Sequence, residues 1–224
     1  MDIQSLYTHN QPREYRAAFD LVASSLTSRV GKSLCILSSD IYAVELIKRC
    51  PNELDLIGTD GFDAAGFIQS AADWCWGRVN FVSIDRNTSK YETILWVEPN
   101  PSQLKVLSQK LRHVSIIETR LFVVVPGVLH RFILDVELPA RNNRNLVLIY
   151  SLLRCLNNNG WQIDCTIGLH GPRSLLWSGI FRLCILFGRH DLADKFLFTL
   201  RNSYQEYGCF WWLSPLTIIC AAAI

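Results

Sequence analysis

The sequence predicts an α/β protein, a mostly parallel sheet with helices on both faces. Three observations predict it. Short apolar segments (SLCILS, LDLIGTD, NFVSID, TILWVEP) alternate with longer segments whose apolar residues recur at helical spacing, the order that gives right-handed crossovers between parallel strands. RLFVVVPG, 120–127, is a continuous hydrophobic run, as expected of a strand covered on both faces. Half of the 224 residues are hydrophobic and 19% are charged, a composition that folds around one core.

Residues 12–29 open with Tyr15, Phe19, Val22 and Leu26 at helical spacing behind Pro12, a first-turn residue. A strand follows at 33–38. Asp40 is placed to cap the next helix, whose Ile41, Val44 and Ile47 share a face and which Pro51 stops. LDLIGTD, 54–60, is a short strand running into an acid, and GFDAAGFIQSAADWCWGR is a helix with a loose start. NFVSID, 80–85, and TILWVEP, 93–99, are strands. Pro99-Asn100-Pro101 then leads into a helix with Leu104, Leu107 and Leu111 on one side. Beyond the 120–127 strand, 145–156 is helical, NGW at 159–161 is a turn and WQIDCTIGL, 161–169, is a strand. Pro172 begins an apolar helix to about Phe187, and 190–204 places Leu192, Phe196 and Leu200 in line. The tail, 210–224, is β-rich. There is no internal repeat.

Composition excludes several classes of function. The net charge is +2, and the 22 basic residues form no run, so no nucleic-acid partner is expected. The eight cysteines include no CxxC pair and lie mostly in apolar stretches, which fits a reduced, cytoplasmic setting. The first residues, MDIQSLYTHNQPREYR, lack the apolar core of a signal peptide. Segments 175–187 and 209–224 are apolar, but Arg182 interrupts one and Pro215 the other. Both fall short of the roughly 20 residues of a transmembrane span. Buried structure is the expectation for both, with peripheral contact to lipid as its rival.

In an open parallel sheet a ligand sits beyond the carboxyl ends of the strands, which directs attention to 38–42, 60–62, 85–87 and 98–100. Asp60, after the second strand, has two acceptors to offer the hydroxyls of a ribose, and Asp85, after the third, can accept from the exocyclic amine of adenine. Each also has a plain structural role available, Asp60 in the turn TDG and Asp85 paired with Arg86. Asp40 stands near the end of the first strand, where an acid is missing, but a helix cap explains it fully. Among the histidines, His170, just after the sixth strand, is the foremost candidate for a general base. No histidine is accompanied by residues at metal-ligand spacing, so no metal is expected.

The segment NNNGWQIDCTIGLHGPRSLLWSGIFRLCILFGRHDLADKFLFTLRNSY, with its GR-DLAD and R-SY pieces, and the ending WWLSPLTIICAAAI resemble the C-terminal part of class I S-adenosylmethionine-dependent methyltransferases. The resemblance runs from about residue 30 to the end of the chain. It implies a Rossmann-like, seven-stranded, mostly parallel sheet with an antiparallel last strand, in one domain over 1–224. That domain comprises an N-terminal helical segment (1–29), a cofactor-side half (30–135) and a substrate, lid and C-terminal-strand half (136–224). It implies S-adenosylmethionine over strands one to four, with Ser38, Ser39, Asp40, Asp60 and Asp85 as its binding residues. It also implies a substrate beneath the helices.

One motif departs from the family. The strand-end acid and three alternating glycines of the cofactor loop correspond here to Cys35, Leu37, Ser39 and Ile41. No glycine stands between Gly31 and Gly58, and Tyr42 is large enough to help fill the space. Three readings follow: a methyltransferase acting on a small hydrophobic or lipid-like acceptor, a non-catalytic partner or regulatory subunit (including a homo-oligomer), and the scaffold reused for another ligand. The 172–187 helix is apolar on nearly every side. That suits a cover over a greasy substrate, a contact with a partner protein or a membrane surface.

Overall fold

The computed structural model describes residues 13–27, 31–49, 53–59, 62–70, 79–84, 89–127, 149–203, 207–208 and 214–224. In chain order their elements are α1 (Arg13–Thr27), β1 (Ser33–Leu37), α2 (Asp40–Arg49), β2 (Leu54–Gly58), α3 (Ala64–Ser70), β3 (Val79–Phe81), β4 (Tyr91–Val97) and α4 (Leu104–His113). There follow β5 (Ser115–Pro126), α5 (Ile149–Asn158), β6 (Trp161–Leu169), α6 (Pro172–Leu186), α7 (His190–Ser203), β7 (Tyr207–Gly208) and β8 (Leu216–Ala223). The strands form one sheet in the order β3-β2-β1-β4-β5-β8-β6-β7. The first five are parallel, and β8 pairs antiparallel with both β5 and β6. The two-residue β7, an edge piece on β6, was not expected from the sequence.

The pleat sorts alternate residues of each buried strand into two cores. On one face Cys35, Leu37, Leu95, Val97, Phe122, Val124 and Ile218 meet α1 and α2 through Phe19, Val22 and Leu46. On the other, Leu34, Ile36, Ile94, Trp96, Val123 and Ile219 meet α4 and α5 through Leu107, Leu111, Leu152 and Leu156. Two covered faces explain why β1, β4 and the second half of β5 read as unbroken apolar runs. Helices α1 and α2 are clamped by Arg49, whose Nε donates to Asp20 at 2.6 Å and whose Nη1 donates to Glu45 at 2.5 Å. Burial alone would lower the Arg49 pKa, but the hydrogen bonds and charges of these carboxylates outweigh it and raise it.

Several boundaries differ from expectation. β3 stops at Phe81, short of Asp85, and of the long helix expected after Gly61 only α3 is among the described residues. β5 begins five residues before the expected Arg120 because the chain bulges: Tyr91 pairs with Ser115 but Thr93 with Arg120. Glu118 takes φ 68° inside the bulge. Thr119 closes it, its Oγ1 donating to the Tyr91 carbonyl at 2.6 Å and accepting from the Ile116 amide at 2.8 Å. β2 carries a buried acid within its apolar run: Asp55 accepts from the Tyr91 hydroxyl at 2.6 Å and from Asn80 at 3.4 Å. The tight NGW turn rests on Gly160 at φ 78°, a backbone conformation costly for other residues.

Candidate functional site

The strand order reverses between β1 and β4, so the crevice where such folds bind ligands opens beyond the carboxyl ends of these two strands. Ser38 and Glu98 flank it, each two residues past the last paired positions, Ile36 and Trp96. Here the structure builds a clasp. The Glu98 carboxylate accepts three hydroxyls, from Tyr15 of α1 at 2.6 Å, from Tyr42 of α2 at 2.9 Å and from Ser38 at 3.1 Å. Tyr15, Tyr42 and Ser38 are all buried. The two tyrosine rings lie 4.9 Å apart, and Phe19 packs on both at 6.0 and 5.9 Å.

Glu98 adopts φ 51°, a left-handed conformation that costs a non-glycine residue roughly 1–2 kcal/mol. Such a cost is tolerated where the surroundings over-determine the geometry, and three charge-assisted hydrogen bonds do so here. The Ser38–Glu98 bond spans the switch point directly.

Of the residues singled out in the sequence, Ser38 belongs to the clasp, and Ser39 is buried beside it, its carbonyl starting α2. Asp40 is the first residue of α2. Leu37, at a family glycine position, is fully buried, as is Cys35 at the position of the strand-end acid. Asp60 and Asp85 lie outside the described residues. His170 follows β6 at φ 60° and is fully buried. β6 is three strands from β4, so His170 lies about 14 Å from the clasp at ordinary strand spacing. Among the described residues no cluster of histidine, cysteine and carboxylate side chains could hold a metal. The sequence pointed to 98–100 but assigned Glu98 no partner, and it placed Tyr15 only on the apolar face of a helix. Glu98 did stand at a strand's carboxyl end, but its partners come from helices distant in the chain.

A second feature lies on α6. Its inward residues include the buried Ser174 and Ser178, whereas Leu176, Leu183, Leu186 and Phe187 face outward, the last two more than 70% exposed. Trp177 stacks on Phe196 of α7 at 5.5 Å, and Gly188 at φ 69° ends the helix. No described helix is long and apolar enough to cross a membrane.

No family model matches the sequence, and no curated protein matches it. Solved structures do. The geranyl diphosphate C-methyltransferase of Streptomyces coelicolor A3(2), crystallised with S-adenosyl-L-homocysteine, aligns with a TM-score of 0.57 at 9% identity, over 99% of this chain and 86% of that one. The chain has the class I methyltransferase fold. The N-methyltransferase NodS of Bradyrhizobium japonicum WM9, also solved with S-adenosyl-L-homocysteine, shares the methyltransferase fold at TM-score 0.55 and 10% identity, covering 98% of this chain and 90% of NodS. The 4+2 cyclase SpnF shares it at TM-score 0.57 and 13% identity, covering 92% and 80%. A fold that serves a cyclase as well as methyltransferases does not by itself fix a reaction.

Proposed function

We propose that this chain is a single methyltransferase-like domain, cytoplasmic, that does not transfer methyl groups and acts as a partner or regulatory subunit of another protein. The clasp at Glu98 carries this reading. In the family the methionine end of S-adenosylmethionine approaches bare backbone after β1. Here Leu37, Ser38, Ser39 and Tyr42 present side chains, all buried, and Ser38 is hydrogen-bonded across the crevice to Glu98. Admitting the cofactor would require breaking charge-assisted bonds worth roughly 1.5–3 kcal/mol each and expelling a packed tyrosine.

The outward face of α6 supports the partner role, since exposed leucines above buried serines invert the order expected of a helix with one face in water. The complementary surface is apolar, on another protein.

Calorimetric titration and thermal shift with S-adenosylmethionine and S-adenosylhomocysteine test the closed crevice. The expected result is no heat of binding and no change in melting temperature at millimolar ligand. Saturable micromolar binding with stabilisation that grows with ligand concentration would overturn the proposal and favour methyl transfer to a small hydrophobic acceptor.

A further inference from the structure

Two cysteines stand opposite each other on neighbouring antiparallel strands: Cys165 of β6 pairs in register with Cys220 of β8. Both are free thiols, Cys165 exposed and Cys220 half-buried against the α1–α2 core. Residues directly opposite in an antiparallel pair have Cα atoms about 4.5–5.5 Å apart, inside the roughly 4.4–6.8 Å range that a disulfide needs. The register shifts between Ile163 and Cys165, and a bulge of this kind increases local twist and re-aims side chains.

The two thiols also interact electrostatically. Burial, followed by the hydrogen bond that the Cys220 thiol shares with Cys165 and the charges of Cys165 and Asp164, pushes the Cys220 thiol up to about 12, with Arg120 pulling the other way. Cys165 is thus the thiol that reaches solvent, and Cys220 the one held protonated behind it.

We propose that Cys165 and Cys220 form a redox-active dithiol that is converted to a cross-strand disulfide by small-molecule disulfides of the glutathione type. The Cys165 thiolate attacks one sulfur of the small disulfide. That S–S bond breaks, a mixed disulfide forms on Cys165, and the first small thiol leaves. With Cys165 capped, its charge no longer opposes ionisation of Cys220. The Cys220 sulfur then attacks the Cys165 sulfur, forming the protein disulfide and expelling the second small thiol. The two protein thiol protons pass to the two leaving thiolates, so the protein is oxidised by two electrons and the small disulfide is reduced to two thiols.

The reaction is tested on the reduced full-length chain with oxidised glutathione, followed by alkylation, intact-mass measurement and peptide mapping, in native buffer and in urea. The expected native product has lost two hydrogens and yields one cross-linked peptide pair joining Cys165 to Cys220. Cys220→Ser should trap a stable glutathione adduct on Cys165, and Cys165→Ser should react at least tenfold more slowly at Cys220. Cross-links that instead join other cysteines, an adduct on Cys165 that never resolves in the unsubstituted protein, or the same pairing yield in urea as in native buffer would each overturn the proposal.

Discussion

Replacing Glu98 tests the clasp most directly. Its carboxylate receives three hydroxyl groups at 2.6, 2.9 and 3.1 Å, and hydrogen bonds to a charged group contribute roughly 1.5–3 kcal/mol each. The three share one partly exposed carboxylate and do not add fully. Glu98→Ala should therefore cost about 3–5 kcal/mol. Glu98→Gln keeps Oε1, the acceptor of both tyrosines, and turns an amide toward Ser38, whose hydroxyl can accept as well as donate. It should cost only about 1–2 kcal/mol, the difference between charged and neutral bonds. Because φ is 51°, Glu98→Gly loses the same bonds but relieves backbone strain of about 1 kcal/mol, so it should be less damaging than alanine. Urea unfolding followed by tryptophan fluorescence gives all three values, and a double-mutant cycle with Tyr42→Phe gives the coupling. An alanine variant within about 0.5 kcal/mol of the parent, or no coupling to Tyr42, would show that the clasp does not form in solution.

Tyr91→Phe removes a 2.6 Å donor from the buried Asp55 and should cost about 1–3 kcal/mol in the same unfolding assay. Oxidation of Cys165 and Cys220 closes a loop of roughly 55 residues, for which chain entropy gives about 4 kcal/mol. Scanning calorimetry should then place the oxidised melting temperature above the reduced one by roughly 8–16 °C. The exposed α6 positions should behave oppositely to the clasp: Leu183→Glu with Leu186→Glu should leave stability within about 0.5 kcal/mol while abolishing association with the partner protein, measured by sedimentation. Unchanged association, or loss of binding to anionic vesicles instead, would refute that role for the helix. Between pH 9 and about 12 the folded state should lose stability, because Cys220 ionises less readily folded than unfolded. A pH series comparing Cys220→Ala with the parent should show a shallower loss in the variant.

The fold was legible because its signals are local. Unbroken runs such as SLCIL and LFVVV report two covered faces, and Pro172 and the 161–169 strand mark boundaries that the structure reproduces. The β5 bulge was not legible, since Thr119 and the Tyr91 carbonyl lie 28 residues apart in the chain. Nor was the burial of Asp55, whose partner Tyr91 is 36 residues away. The site was half legible. Lack of glycine between Gly31 and Gly58 and the bulk of Tyr42 marked the crevice as crowded, and Ser38 was among the residues singled out after the first strand. What fastens that crowding, an acid one strand over and a tyrosine from α1, depends on tertiary placement that periodicity does not encode.

The clasp has a kinetic corollary. Its three bonds close chain separations of 83, 60 and 56 residues, so it cannot assemble until α1, α2, β1 and β4 have all docked. Entropy opposes such distant closures until the rest of the sheet exists. Tyr15 and Tyr42 would then settle late during refolding, and their ultraviolet absorbance would report the moment the tertiary structure is complete.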